Sequence, residues 1–312
     1  MKVVRGLKGI EKAAKGSVVT IGVFDGLHIG HREIIEMVVR RAKKLNLKSV
    51  ALTFDPHPLK VLHLSSWIPS LLSLNHRIKL IDQLGIDLLV VVNFTKTISN
   101  LSPEEFVKEI LISKIGAKEI YVGENFYFGK GAKAGVKTLG SLARRFGFRM
   151  KIVKPITIGK DIVSSSLIRK LITNGDIAKA SKFLDRPVSI LGTVISGSRL
   201  ARVLGYPTAN INPHHEAIPP SGVYAVLVRL KNRLFKGVLN IGRRPTFYGP
   251  RDKEPTIEVH IFDFDERIYD KEIEILFIKK LRDEAKFKDR DALVNQIRKD
   301  EALARAILRN YV

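Results

Sequence analysis

The ten residues GVFDGLHIGH, Gly22 to His31, constrain this chain more than any other stretch. They follow the strand-like run SVVTIG from Ser17 and lead into an amphipathic segment from His31 to Leu45. There Ile34, Ile35, Val38, Ala42 and Leu45 recur at helical spacing. Glu33 and Glu36 come early and Arg40, Arg41, Lys43 and Lys44 late, a polarity that complements the helix dipole. A glycine-rich turn between a strand and a helix is where an α/β sheet binds ligands, because the first amides of the helix favour phosphate. Gly22, Gly26 and Gly30 let the backbone approach an anion closely. His28 and His31 stand three apart, so both imidazoles can face one triphosphate and donate hydrogen bonds as charge moves onto a leaving group. Taken alone, the residues also fit a plain turn with two polar caps.

The alternation continues with SVALTF from Ser49, DLLVVV from Asp87 and EIYVG from Glu119, and strands alternating with helical patterns predict a doubly wound parallel α/β sheet. The segment SSLIRKLITNGDIAKASKFL, beginning at Ser165, reads as helical, with Asn174, Gly175 and Asp176 dividing it into two short helices. After Leu184 the character changes to short strand candidates punctuated by Gly, Pro and Asn: DRPVSILGTVISG, GVYAVLVRL, LFKGVLNIG, TIEVHIFDF and EIEILFIKKL. This half is expected to form a small all-β Greek-key barrel with a C-terminal helix from about Arg290 to Arg309. The expected domains are 1–185 and 186–312.

At 312 residues, 45% of them hydrophobic and 27% charged, the chain has material for two globular cores. No apolar run reaches the roughly 18 residues of a membrane span, and the N-terminal stretch lacks the apolar region of a secretory signal, so a cytoplasmic location is expected. The absence of cysteine excludes disulfides, thiolate metal sites, iron–sulfur clusters and cysteine nucleophiles. A net charge of +23 selects anionic partners without naming one. Its basic residues are scattered, as in RRAKK at 40–44 and FIKKLR at 277–282, and most fit a solvated surface. Aromatic residues make up only 7%, too few to interleave with the basic ones as nucleic-acid binding would need, so neither nucleic acid nor membrane is an expected partner. A Walker phosphate loop and a complete G-x-G-x-x-G fingerprint are both missing.

The pattern GxFDGxHxGH resembles the signature of the HxGH nucleotidyltransferases, and its Phe-Asp-Gly form resembles the bifunctional riboflavin kinase/FAD synthetase family. FDPHP (Phe54 to Pro58), LSPEEFV (Leu101 to Val107), VGENFYFGKG (Val122 to Gly131) and VSSSLIR (Val163 to Arg169) resemble further family blocks in the family's order. So do LGYPTANI (Leu204 to Ile211), GVYAV (Gly222 to Val226), LNIGRRPTF (Leu239 to Phe247), IEVHIFDF (Ile257 to Phe264) and LRDEAKF (Leu281 to Phe287). The likeness runs from about Val18 to Phe287. By themselves FDPHP and PTAN also read as turns, VGENFYFGKG as a hairpin bend, and the serines as a helix cap.

The resemblance implies phosphorylation of riboflavin to FMN and adenylylation of FMN to FAD, with ATP as co-substrate, Mg²⁺ as cofactor and FMN and FAD as products. In the first half it implies His28 and His31 as catalytic groups, with ATP held by Gly22, Phe24, Asp25, Gly26, Gly30, Asn125, Ser164, Ser165, Ser166 and Arg169. FMN would lie on Phe54, Pro56 and Pro58. In the second half it implies an ATP site at Gly205, Pro207, Thr208 and Asn210, with Thr208 and Asn210 as oxygen ligands of Mg²⁺. Glu258 would be the general base for the riboflavin 5′-hydroxyl, and Arg282 and Glu284 would meet the flavin. Along IEVHI the apolar Ile257, Val259 and Ile261 share one strand face and Glu258 and His260 the other. Two positions depart from the family pattern: Ser166, where threonine is usual, and Ala201, where a glycine usually precedes the arginine.

Overall fold

The chain forms two compact units, Met1–Ile68 with Leu74–Ser165, and Pro69–Ser73 with Ser166–Val312. The structure, a computed structural model, describes residues 1–10, 16–62, 69–196, 205–214, 216–242 and 255–311.

In the first unit six strands pair in parallel: β1 (Lys2–Arg5), β2 (Ser17–Ile21), β3 (Lys48–Asp55), β4 (Leu88–Asn93), β5 (Ala117–Gly123) and β6 (Arg149–Val153). Their order is β1-β4-β3-β2-β5-β6. Strand β2 therefore has β3 on one side and β5 on the other, which makes its carboxyl end the topological switch point where an open α/β sheet leaves a crevice. All five residues of β2 are buried, as a central parallel strand covered on both faces requires.

Helix α1 (Ile29–Leu45) follows β2 and buries Ile35, Val38 and Ala42. It starts at a capping His28 and stops at Asn46, which takes the left-handed conformation after Lys43 and Lys44. Then come α2 (Pro58–Val61), α3 (Leu74–Asp82), α4 (Lys96–Ser99) and α5 (Pro103–Glu105), the last running on as a π-helical stretch, Phe106–Lys114. Helix α6 (Val136–Phe146) precedes β6, and a small hairpin, β7 (Thr157–Ile158) with β8 (Asp161–Ile162), ends the unit. The LSPEEFV block is a helix start. Ser102 and Glu105 form a reciprocal capping box around Pro103, and Phe106 then packs against Phe128 at 5.8 Å between ring centroids.

Next along the chain come α7 (Ser165–Thr173), whose residues from Ser166 belong to the second unit, and α8 (Ile177–Leu184), the two separated at Asn174–Asp176 as the sequence predicts. Six antiparallel strands follow: β9 (Val188–Ile195), β10 (Ala209–Pro213), β11 (Gly222–Leu230), β12 (Arg233–Gly242), β13 (Thr256–Ile261) and β14 (Glu272–Arg282). They close in the order β10-β13-β12-β11-β14-β9. Because β14 lies beside β11 ahead of the β11-β12-β13 meander, the barrel is a Greek key. Helix α9 (Arg290–Ile307) packs Ala304 and, just beyond its end, Leu308 against Val223, Ala225, Leu227, Val238 and Leu276 of the barrel. The expected α/β sheet, barrel and final helix are all present.

Candidate active sites

The turn from β2 to α1 is shaped by left-handed backbone at three residues, Phe24 (φ 53°), Gly26 (φ 82°) and Leu27 (φ 42°). Phe24 and Asp25 are buried, and Ser165 Oγ donates to the Asp25 carbonyl at 2.7 Å. That bond brings the serine-rich segment to the histidine turn. Ser164 precedes α7, and Ser166 is exposed in its first turn. Asn125 sits in the exposed turn after β5, at the same carboxyl edge of the sheet as the histidine turn.

The rings of His28 and His31 stack 3.7 Å apart, and Phe24 meets His31 edge-on at 5.5 Å. His28 Nδ1 accepts from the His31 backbone N–H at 3.4 Å, which puts the proton of a neutral His28 on Nε2. Burial lowers the His28 pKa to about 4. His31 is also held well below the ordinary histidine range, first by burial, then by the fields of His28 and Arg77. Two neutral imidazoles thus stand at the switch point, each with a ring N–H to give.

Phe54, next to last in β3, has its ring edge-on to Phe94 at 5.5 Å. Pro56 is exposed, and Pro58 is the first residue of α2, capped by His57. Two residues here had no sequence signal. Phe94 reads as the end of an apolar run, and Arg77, in LNHRIKLID, reads as a solvent-facing helical arginine. Instead Arg77 is 3% exposed and donates from Nη1 to Thr53 Oγ1 at 3.0 Å and to the Phe54 carbonyl at 3.1 Å. Arg169, on α7 in the second unit, donates from Nε to the Pro69 carbonyl at 2.8 Å.

On the barrel, Asn210, Glu258 and Asn240 are consecutive cross-strand partners on β10, β13 and β12. Such partners share a face, so one row of polar side chains crosses three strands. The opposite face of β13 is the core: Ile257, Val259 and Ile261 are buried. A Cβ on Gly242 would lie 3.0 Å from Glu284 Oε1, 3.3 Å from Asn240 Nδ2 and 3.3 Å from Thr256 Oγ1. Glu284 therefore converges with Asn240 beside Gly242, where an added Cβ would make these side chains give by a few tenths of an ångström. Asn240 is the second residue of the LNIGRRPTF block.

The PTAN stretch, which also fits a turn, enters β10 at Ala209. Ahead of it the Pro207 carbonyl is hydrogen-bonded to His260 Nδ1 at 2.8 Å, and Tyr206 meets the His260 ring edge-on at 5.5 Å. Gly205 has φ 85°. Pro207 and Thr208 line a cavity of about 530 Å³, together with Val194, Val259, Ile261 and residues 264–269. Arg282 points its fork at α9, where Nη2 lies 2.8 Å from Asp300 Oδ2 and Nε 3.1 Å from Oδ1. Ala201, with Arg202 beside it, lies outside the described residues.

A parallel sheet with an HxGH turn at its switch point, joined to a Greek-key barrel with a polar row beside PTAN, defines a two-domain nucleotide-using transferase. The FAD synthetase family model matches residues 10–167 and the riboflavin kinase model residues 184–308. The bifunctional riboflavin kinase/FMN adenylyltransferase of Bacillus subtilis is 37% identical over 294 residues, spanning 93% of this chain and 92% of its own. That of Haemophilus influenzae is 34% identical over 307 residues, spanning 98% and 99%. The chain belongs to the bifunctional riboflavin kinase/FMN adenylyltransferase family. A solved structure described as a macrolide-efflux protein from Streptococcus pneumoniae has the same fold, with a TM-score of 0.85, 29% identity and full coverage of both chains. No helix among the described residues of the present chain is long and apolar enough to cross a membrane.

Proposed function

We propose that the two activities of this bifunctional enzyme occupy separate sites, with adenylylation assigned to residues 1–185 and phosphorylation to 186–312. The observation that carries the first assignment is the stacked pair of neutral imidazoles at the amino end of α1. An FMN phosphate oxygen attacks the α-phosphorus of ATP, the bond to the bridging oxygen breaks, and pyrophosphate leaves. His28 and His31 donate N–H bonds to the phosphates as negative charge passes to the leaving group. The turn at Gly22, Phe24, Asp25, Gly26 and Gly30 cradles the triphosphate with Ser164 and Ser165. Asn125 lies on the nucleotide, and Phe54, Pro56 and Pro58 face the flavin.

In the barrel the 5′-hydroxyl of riboflavin gives its proton to Glu258 and attacks the γ-phosphorus of ATP, and ADP leaves. Gly205 and Pro207 shape the phosphate loop. Thr208 and Asn210 offer hard oxygen donors, and Asn210 stands in register with the Glu258 carboxylate, a donor set that fits Mg²⁺. When bound there, Mg²⁺ neutralises phosphate charge during transfer. Glu284 faces the flavin, and Arg282 braces that segment on Asp300. The enzyme would work in the cytoplasm on small molecules, its positive surface serving phosphate-bearing substrates in preference to nucleic acid or membrane.

Chromatography of products formed over time from riboflavin and Mg-ATP tests this reading. FMN is expected first and FAD after it. A folded preparation that turned over neither riboflavin nor FMN would overturn it.

A further inference from the structure

A buried guanidinium needs partners for five N–H groups and an answer to its charge. In Arg77 both hydrogen bonds leave from Nη1, while Nε is enclosed with no partner among the described residues. Its charge is met at longer range by Asp25 and Asp55, each beside a loop of the first site. Thr53 relays the contact: its oxygen accepts from Arg77, and its hydroxyl donates to the Val23 carbonyl at 3.1 Å. Val23 immediately precedes Phe24, the first left-handed residue of the histidine turn. One cation therefore ties together the ends of β2 and β3, the two strands from which the GVFDGLHIGH and FDPHP segments depart. Bonds in series polarise one another, so the relay holds the turn more firmly than Thr53 alone.

We propose that Arg77 is a positioning residue for adenylyl transfer, fixing the histidine turn through Thr53 and Val23, fixing the flavin-side end of β3 through the Phe54 carbonyl, and placing positive charge beside His31. The inference rests on the reading of the first site given above. An isolated buried charge is costly compared with an apolar side chain of the same volume, and placement of the two loops is what this one secures. The groups facing His31 are His28 and the Phe24 ring from its own turn and Arg77 from α3; Asp25 and Asp55 face Arg77 from the turn and from the end of β3. His28 and Arg77 both add to burial in keeping His31 neutral.

The test uses the full-length enzyme carrying Thr53→Val, Arg77→Lys or Arg77→Met. FAD formation from FMN and Mg-ATP is the readout and FMN formation from riboflavin the control. Thr53→Val keeps volume and charge but cuts the relay, so kcat for FAD formation should fall about tenfold with its acid limb unmoved. Arg77→Met should lower kcat at least as far and shift the acid limb to higher pH, because His31 takes a proton more readily without the neighbouring cation. Arg77→Lys should restore the limb and only part of kcat. FMN formation should stay within about twofold of the parent enzyme throughout. Unchanged kcat in Thr53→Val, an Arg77→Met limb coincident with the parent's, or parallel loss of both reactions would each overturn the proposal. If Arg77→Met does not fold, Thr53→Val still decides the relay and Arg77→Lys whether a cation alone sets the acid limb. The parent enzyme is assayed first; its failure to make FAD would count against the reading of the site, not against Arg77.

Discussion

A methyl group added at Gly22 would sit 2.9 Å from Phe24 Cε1, 3.1 Å from Cζ and 3.3 Å from Cδ1. Carbon atoms prefer about 3.5 to 4.0 Å, so the ring must move by roughly 0.6 Å or more. It cannot swing outward. Phe24 is 2% exposed, its backbone is already left-handed, and its ring meets His31 edge-on. Overpacking of this kind costs about 1 to 3 kcal/mol. Displacement passed to His31 at that scale costs on the order of 10- to 100-fold in rate, given that about 1 Å of misplacement can cost 100-fold. Gly30→Ala provides the contrast. Its Cβ meets His28 Cε1 and Nδ1 at 3.3 Å, which a shift of a few tenths of an ångström relieves, and alanine in a helix recovers up to about 1 kcal/mol. Gly22→Ala should therefore lower Tm and depress FAD formation strongly, while Gly30→Ala leaves Tm near the parent value and slows FAD formation only a few-fold. Each variant is assayed for FAD formation from FMN and for FMN formation from riboflavin, with thermal unfolding alongside. A Gly30→Ala defect as large as that of Gly22→Ala would refute the contact argument, and so would an equal loss of FMN formation.

Replacing either His28 or His31 with alanine should reduce FAD formation by about 100-fold or more and spare FMN formation, whereas Glu258→Gln should do the reverse; timed chromatography of both products checks this. The buried His28 also makes stability pH-dependent. Its folded pKa of about 4 lies below the unfolded 6.5, so the unfolded chain binds the extra proton first. Stability is then fully present above pH 6.5 and falls as pH drops toward 4, by about 3 kcal/mol from this group. His31 acts in the same direction. Unfolding titrations from pH 7 to 4 should show a shallower slope in His28→Asn, and an identical slope would contradict the burial argument. Asp300, 4% exposed, receives Arg282 and Gln296, so Asp300→Ala should cost about 3 kcal/mol in the barrel unit and lower FMN formation more than FAD formation. Separate Tm values for the two units, or activity loss on heating, would reveal it.

Much of this architecture follows from short-range patterns. The 3.6-residue spacing of Ile35, Val38 and Ala42 sets α1, and alternation along Thr256–Ile261 sets which face of β13 carries Glu258. Asn174–Asp176 breaks a helix because residues of that kind favour turns over helix interiors. What escapes such patterns is pairing at a distance. Nothing local tells Arg77 to face inward, because its burial depends on Thr53 and the Phe54 carbonyl, on a strand far away in the chain. Asn240 joins Glu258 and Asn210 only once three separate strands take a particular register. PTAN reads as a turn, yet pairing with β9 and β13 draws its second half into a strand. The compact units divide at Ser165, ahead of the change in composition near Asp185, because packing rather than composition assigns α8 to the barrel strands β9 and β14.

The two proposed sites divide electrostatic work differently, and the chain's charge explains why. A net charge of +23 supplies long-range attraction for ATP and FMN at the surface. A permanently charged imidazole pair would bind triphosphate and pyrophosphate tightly before and after reaction, which lowers the ground state along with the transition state. Burial instead keeps His28 and His31 neutral, and the same water-poor surroundings strengthen each N–H bond as charge arrives on the leaving oxygen. In the proposed barrel site the base is instead a carboxylate, which takes its proton from the attacking hydroxyl. Glu258 lies half-buried on the strand face opposite the apolar core that Ile257 and Val259 enter, in register with Asn210 and Asn240.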